Sequence, residues 1–355
     1  FAQHILLDPL AHSEIIRHAA GLRRNDRELL EVIERLATEA QQYETTGVSI
    51  QQFDLIEDRH GWSHVRDLDQ VRSILRAAPS PPTEEEIDEI YEEVADDPPS
   101  EPQELELFTE SNNLASVERV DASARLLAAV LQSSEGVPDV SLKAEALRRV
   151  ILGWGLSTVV MAVDEDENGA LRELIENLLD ESTGEVDRRR SLTEHLARLF
   201  VVFFSNLDLY ADVGSIHLRD VLRTVLDDAD FMRETANALF ATVLQVLLEF
   251  PRWADDLRRL FQQHGQHPMV RELVRVLALT RYRDDDLPLR SERTLEDILA
   301  EILMPQQGGD SGSVQGRAAV RAQILEELRS NRRRTLFRAP SLPEGSEASE
   351  APETA

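Results

Sequence analysis

Apolar residues recur at three- and four-residue intervals along almost the whole chain, and the strict alternation of a half-buried strand is nearly absent. The pattern predicts an all-α protein. Leu29, Leu30, Ile33, Leu36 and Ala40 share one face of a helix over Asp26–Tyr43, with Asn25 placed to cap it. Thr83 and Glu86 have the spacing of a capping box and open an acidic helix through Ile87, Ile90, Tyr91 and Val94. Asp121 precedes a further apolar stripe of Leu126, Leu127, Val130 and Leu131.

Proline interrupts this pattern on both sides of the acidic helix, at Pro79, Pro81 and Pro82 and again at Pro98, Pro99 and Pro102. The expected organisation is a small N-terminal helical domain over residues 1–78, an acidic proline-rich linker with one helix over 79–101, and a main helical body over 102–304. Within that body, helix pairs begin near Leu142, Leu192, Phe231 and Met269. Their second helices are expected over Leu171–Leu179, Leu218–Leu226, Trp253–Phe261 and Leu295–Leu303. Hairpins at a period of about 40 residues suggest an α-solenoid-like stack, and an irregular bundle accounts for the same pattern because no residue signature repeats.

Two apolar runs stand out, Val150–Val163 and Leu199–Phe204. Neither reaches the roughly 18 to 20 residues needed to cross a bilayer as a helix, so both are expected to be buried core helices, with no membrane contact.

Beyond the body, residues 305–316 are rich in glycine and polar residues and are expected to be a flexible tether. Residues 317–338 form a basic amphipathic helix, with Val320, Ile324, Leu325 and Leu328 on one side, followed by a disordered acidic tail over 339–355. Seven arginines stand in the basic segment against only Glu326 and Glu327, a local charge of +5. Arg317, Arg321, Ile324, Leu328, Arg329, Arg332, Arg333, Arg334 and Arg338 are therefore the candidate partner-binding residues.

Composition sharpens that reading. The chain has 355 residues, 67 of them acidic, and a net charge of −29, so most of its surface repels polyanions. Arginine outnumbers lysine 37 to one, the lysine being Lys143. Spread acidity with scarce lysine predicts a salt-adapted prokaryotic protein, and high-GC coding would give the same arginine bias. The chain contains no cysteine, which removes disulfide and thiolate chemistry and fits a reducing cytoplasm. It opens at Phe1, as a processed or truncated product would, and no signal peptide is apparent.

Chemical motifs are sparse. Asp164, Asp166, Asn168 and Gly169 match the first half of a calcium loop, but position twelve is Ile175 and Glu176 comes one residue late, so an acidic turn is expected. His60 with His64 and His264 with His267 are spaced for metal binding, and each pair lacks a third ligand. No phosphate-cradling loop and no G-x-S-x-G elbow occur. Residues 44–78 can be drawn as a helix-turn-helix, but Asp67 and Asp69 interleave with Arg66, Arg72 and Arg76 where a recognition helix would be basic. No catalytic, cofactor-binding or metal-binding residue is nominated, and no cofactor is expected.

Arginine forks suit carboxylate and phosphate alike. The basic helix can dock on the protein's own acidic body, enter a partner's groove, or contact phosphates. The leading expectation is a non-enzymatic scaffold or adaptor subunit of a larger cytoplasmic assembly, docking on a protein partner through this helix. The alternative is a DNA- or RNA-associated protein of genome maintenance or defence.

Overall fold

A computed structural model of the chain describes residues 10, 12–22, 24–44, 53, 68–77, 116–168, 186–284, 286–304 and 314–336. Among these residues are twelve α-helices, two short 3-10 turns and no strand, so the protein is all-α. In chain order the helices are α1 (Ser13–Leu22), α2 (Arg27–Glu44), α3 (Leu68–Ala77), α4 (Ser116–Gln132), α5 (Val140–Asn168) and α6 (Val186–Val213). They continue as α7 (Arg219–Leu226), α8 (Thr235–Leu247), α9 (Trp253–His264), α10 (Pro268–Tyr282), α11 (Leu289–Ile302) and α12 (Val314–Leu336). The acidic helix expected within 79–101, the helix expected over 171–179, His60 and His64, and the tail over 339–355 lie outside the described residues.

The chain divides into two compact units, one built from residues 1–64 and 84–277, the other from 65–83 and 278–355. In the first, α8 is the central element. Every residue from Ala236 to Val246 is buried, and the helix packs against α5, α6, α7 and α9. A helix apolar on all sides belongs in a core. Its buried amide Gln245 marks a polar tie: Nε2 donates to Asp256 Oδ2 at 2.8 Å, and the same oxygen accepts Arg223 Nη1 at 2.8 Å. Arg259 pairs with the other oxygen at 3.1 Å, so one buried carboxylate joins α7, α8 and α9.

Helices α2, α4 and α5 form the other side of this unit. A Cβ on Gly153 would stand 2.5 Å from the Ala124 Cβ, which is why α5 carries a glycine where it crosses α4. Gln41 Nε2 donates to the Arg149 carbonyl at 2.7 Å and ties α2 to α5. On the solvent side of α4, Arg125 lies over the Trp154 ring at 5.2 Å and pairs with Asp121, Asp208 and Asp212.

The turn between α8 and α9 is left-handed at two non-glycine residues, Glu249 (φ 52°) and Arg252 (φ 72°). Phe250 N donates to the Gln245 carbonyl and Glu249 N to the Val246 carbonyl, the bond pair of a Schellman motif. Glycine normally occupies the position that Glu249 fills here.

Several sequence expectations change in detail. Asp26 caps α2, its Oδ1 accepting Leu29 N at 3.0 Å, whereas Asn25 was expected in that role. Asp121 lies inside α4, which begins at Ser116, and its carboxylate serves Arg125 one turn later. Residues 164–168 continue α5 and do not form an acidic turn. The run at 199–204 is helical with Val202 fully buried, yet Phe204 is exposed.

The second unit contains α3, the last turn of α10, α11 and α12. Helix α12 packs against both α11 and α3.

Candidate functional site

The site begins with a two-residue apolar seam. Ile324 and Leu328, four residues apart on α12, are 0% and 1% exposed, while Val320 and Leu325 beside them are half-buried. Full burial of side chains this size contributes about 1.5 to 3 kcal/mol each, so the seam alone provides a real docking energy.

Arginines flank the seam and meet carboxylates of α11, in antiparallel order. Arg321 pairs with Asp297. Arg329 grips Glu296 with two parallel bonds, Nε to Oε1 and Nη2 to Oε2, both at 2.7 Å. Arg332 reaches Glu292 at 2.6 Å, donates to the Asp284 carbonyl at 3.1 Å, and lies over the Tyr282 ring at 5.2 Å. Glu292 and Glu296 are one helical turn apart and so face the same way, as do Arg329 and Arg332.

Glu296 is the centre of the network. It is buried, and it also accepts the Tyr282 hydroxyl at 2.9 Å. Burial alone would raise its carboxyl, but the bonds from Arg329 and Tyr282 hold it below the usual carboxylate value. Tyr282 is pushed the other way, upward, by burial and by its bond to Glu296. The Arg329 guanidinium is raised by its bonds to Glu296.

Helix α3 closes the other flank. Arg72 Nε donates to Glu327 Oε1 at 2.8 Å, and the Leu75 carbonyl accepts both Asn331 Nδ2 and Arg283 Nη2 at 3.0 Å.

Of the candidate residues, the structure brings Arg321, Ile324, Leu328, Arg329 and Arg332 together on one interface. Arg317 is exposed. Arg333 and Arg334 fall on the last turns of α12, and Arg338 lies outside the described residues. Sequence reading missed the acceptor side, namely Glu292, Glu296, Asp297, Tyr282 and the Leu75 carbonyl. The four-residue spacing of Glu292 and Glu296, followed by a helix with arginines at matching spacing, is the signal that would have found it.

No protein-family model, curated protein or solved structure matches this chain.

Other candidate chemistry resolves into local structure. His264 places Nδ1 at 3.2 Å from Thr235 Oγ1 and Nε2 at 3.2 Å from the Met232 carbonyl. His267 stacks on Phe53 and bonds its carbonyl at 3.0 Å. The pair is thus engaged separately, and no group of three or more metal-ligating side chains occurs among the described residues. Calcium ligation of the loop kind needs a turn at Asp164–Asn168, where the backbone is helical. A concavity of about 470 Å³ lies among Leu226, Met232, Arg233, Arg259 and His264, but Arg233 and Arg259 are already paired with Asp230 and Asp256. Among the described residues, no helix is long and apolar enough to cross a membrane.

Proposed function

We propose that this protein is a non-enzymatic helical scaffold or adaptor subunit of a larger cytoplasmic assembly, with α12 as its docking element. The observation that carries the reading is the use made of the basic side of α12. Arg329, Arg332 and Arg321 meet carboxylates of the same unit, and Ile324 and Leu328 are seated between them. Guanidinium groups held in this way are not available to phosphates without first breaking charge-assisted bonds, which favours protein over nucleic acid as the partner. The side of α12 turned to solvent, with Arg317, Ala318, Ala319, Ala322, Gln323 and Glu326 exposed, is the surface left for that partner. Alanines there allow a second helix to approach closely, within the 8 to 10 Å typical of packed helices.

A photo-crosslinking residue at position 318 or 322 of the full chain, expressed in its own cells, tests this. The reading expects crosslinks to another protein. Crosslinks to nucleic acid alone would favour the alternative expectation, and crosslinks confined to the chain itself would contradict docking through α12.

A further inference from the structure

Between the chain leaving α7 and the end of α9 lies the concavity of about 470 Å³, a volume within the range of roughly 300 to 1,000 Å³ typical of small-molecule sites. Leu226, Ala229 and Met232 give it an apolar wall, and Arg233, Arg259 and Gln263 bring N–H donors to it. Apolar surface with a few polar groups at one side suits an amphipathic small molecule.

The wall is held in place by the protein itself. Asp228 Oδ1 accepts the backbone N–H groups of Asp230 and Phe231, each at 3.1 Å, while its Oδ2 pairs with Arg148 at 3.0 Å. A carbonyl can only accept, so His264 carries its proton on Nε2 toward Met232, and Nδ1 accepts the Thr235 hydroxyl. Helix α9 thereby fixes the 3-10 turn Phe231–Arg233. A wall formed in advance loses little ordering entropy when a ligand arrives.

The ion pairs of the two arginines position them without using all their donors. Arg259 is anchored through Nη2 to Asp256 Oδ1 at 3.1 Å, and Asp256 is buried. Arg233 meets only Asp230 among the described residues, and the two side chains are 73% and 87% exposed, so water screens that pair and a ligand can replace it. Gln263 is exposed at the same concavity.

Charge at the rim selects among anions. Asp227 lines the concavity with both oxygens engaged by Arg223, and those bonds hold its carboxyl below the usual value, so it stays negative. A second negative charge on a ligand would be repelled there. We propose that this concavity binds a small organic monocarboxylate, its carboxylate on Arg233 and Arg259 and its apolar body against Leu226 and Met232. The site lies in the first unit, and the proposal does not depend on docking through α12.

The probe is sodium benzoate, titrated into the full chain at constant ionic strength and followed by the backbone amide resonances of 226–233 and 259–264. Saturable shifts are expected in those segments. Benzamide, which has nearly the same shape without the charge, and phthalate, which adds a second carboxylate, should each bind more weakly. Arg233→Gln and Gln263→Glu change exposed side chains, and each should weaken benzoate about fivefold or more while the thermal midpoint is kept. Absence of saturation, benzoate affinity unchanged in Arg233→Gln, or benzamide or phthalate bound as tightly as benzoate would overturn the proposal.

Discussion

Arg329 holds Glu296 with both prongs of its guanidinium, joining α12 to α11 through two 2.7 Å bonds to a carboxylate that is itself buried. The arginine is half exposed and the glutamate is not, so the two halves of the pair are unequal. Removing Arg329 strands a buried charge, and Arg329→Ala should cost about 2 to 3 kcal/mol, below the range for fully buried pairs because solvent screens the arginine. Glu296→Gln, which keeps the hydrogen-bonding shape and removes the charge, should cost less. Hydrogen exchange of the amides in 314–336 reads both changes.

The same pair sets a pH dependence at the acid end. The Glu296 carboxyl is held below its ordinary value, so its contribution is complete above the unfolded-state value of about 4.3. It is lost as pH falls through the lower folded value. Protection of α12 should therefore be constant from neutrality to about pH 5 and decline below pH 4. In Glu296→Gln that decline should be weakened. Tyr282 gives the opposite sign: its raised hydroxyl contributes fully below the unfolded phenol value of about 10 and loses that contribution as pH rises further, which phenolate absorbance follows.

How far this was legible in the sequence differs between local and long-range features. Three- and four-residue periodicity marked α2, α9 and α11, because each buries one face. The seam of Ile324 and Leu328 was visible for the same reason. The partner of that seam was not, because Glu292 and Glu296 lie in a chain with 67 acidic residues, where no single carboxylate stands out. Nor could periodicity pair α3 with α12, since Arg72 and Glu327 are 255 residues apart. The cap of α2 was off by one residue because two polar side chains competed, Asn25 and Asp26, and Asp26 has the carboxylate that the helix N-terminus favours.

The seam itself should dominate the energetics of α12. Leu328→Ala is expected to cost about 2 to 5 kcal/mol, as large-to-small changes at fully buried sites do. Arg321→Ala, which breaks an exposed pair, should cost no more than about 1 kcal/mol and less at high salt. Urea unfolding followed by circular dichroism at low and high salt separates the two.

In the first unit, Asp256 receives Arg223, Arg259 and Gln245 while only 2% exposed. Asp256→Ala should destabilise that unit by about 1.5 to 3 kcal/mol, because the bonds from Arg223 and Gln245 that join α7, α8 and α9 are lost, while Arg223 keeps Asp227 and Gln245 keeps the Pro251 carbonyl. Chemical denaturation gives the value directly.

Glu249 supplies a change of the opposite sign. It holds a left-handed conformation at the end of α8, where a side chain costs about 1 kcal/mol and glycine does not. Glu249→Gly should raise the thermal midpoint of the protein, and a lowered midpoint would show that the glutamate side chain contributes more than its backbone costs.

A partner docked on α12 would have to meet its outward side, and native purification tests this most directly. Full chain is compared with an Ala318→Glu, Ala322→Glu variant, whose changes fall on exposed positions. A stoichiometric protein partner should accompany the full chain and be lost from the variant, while exchange protection over 314–336 stays the same in both. A full chain that purifies alone, or a partner retained undiminished by the variant, would contradict the account.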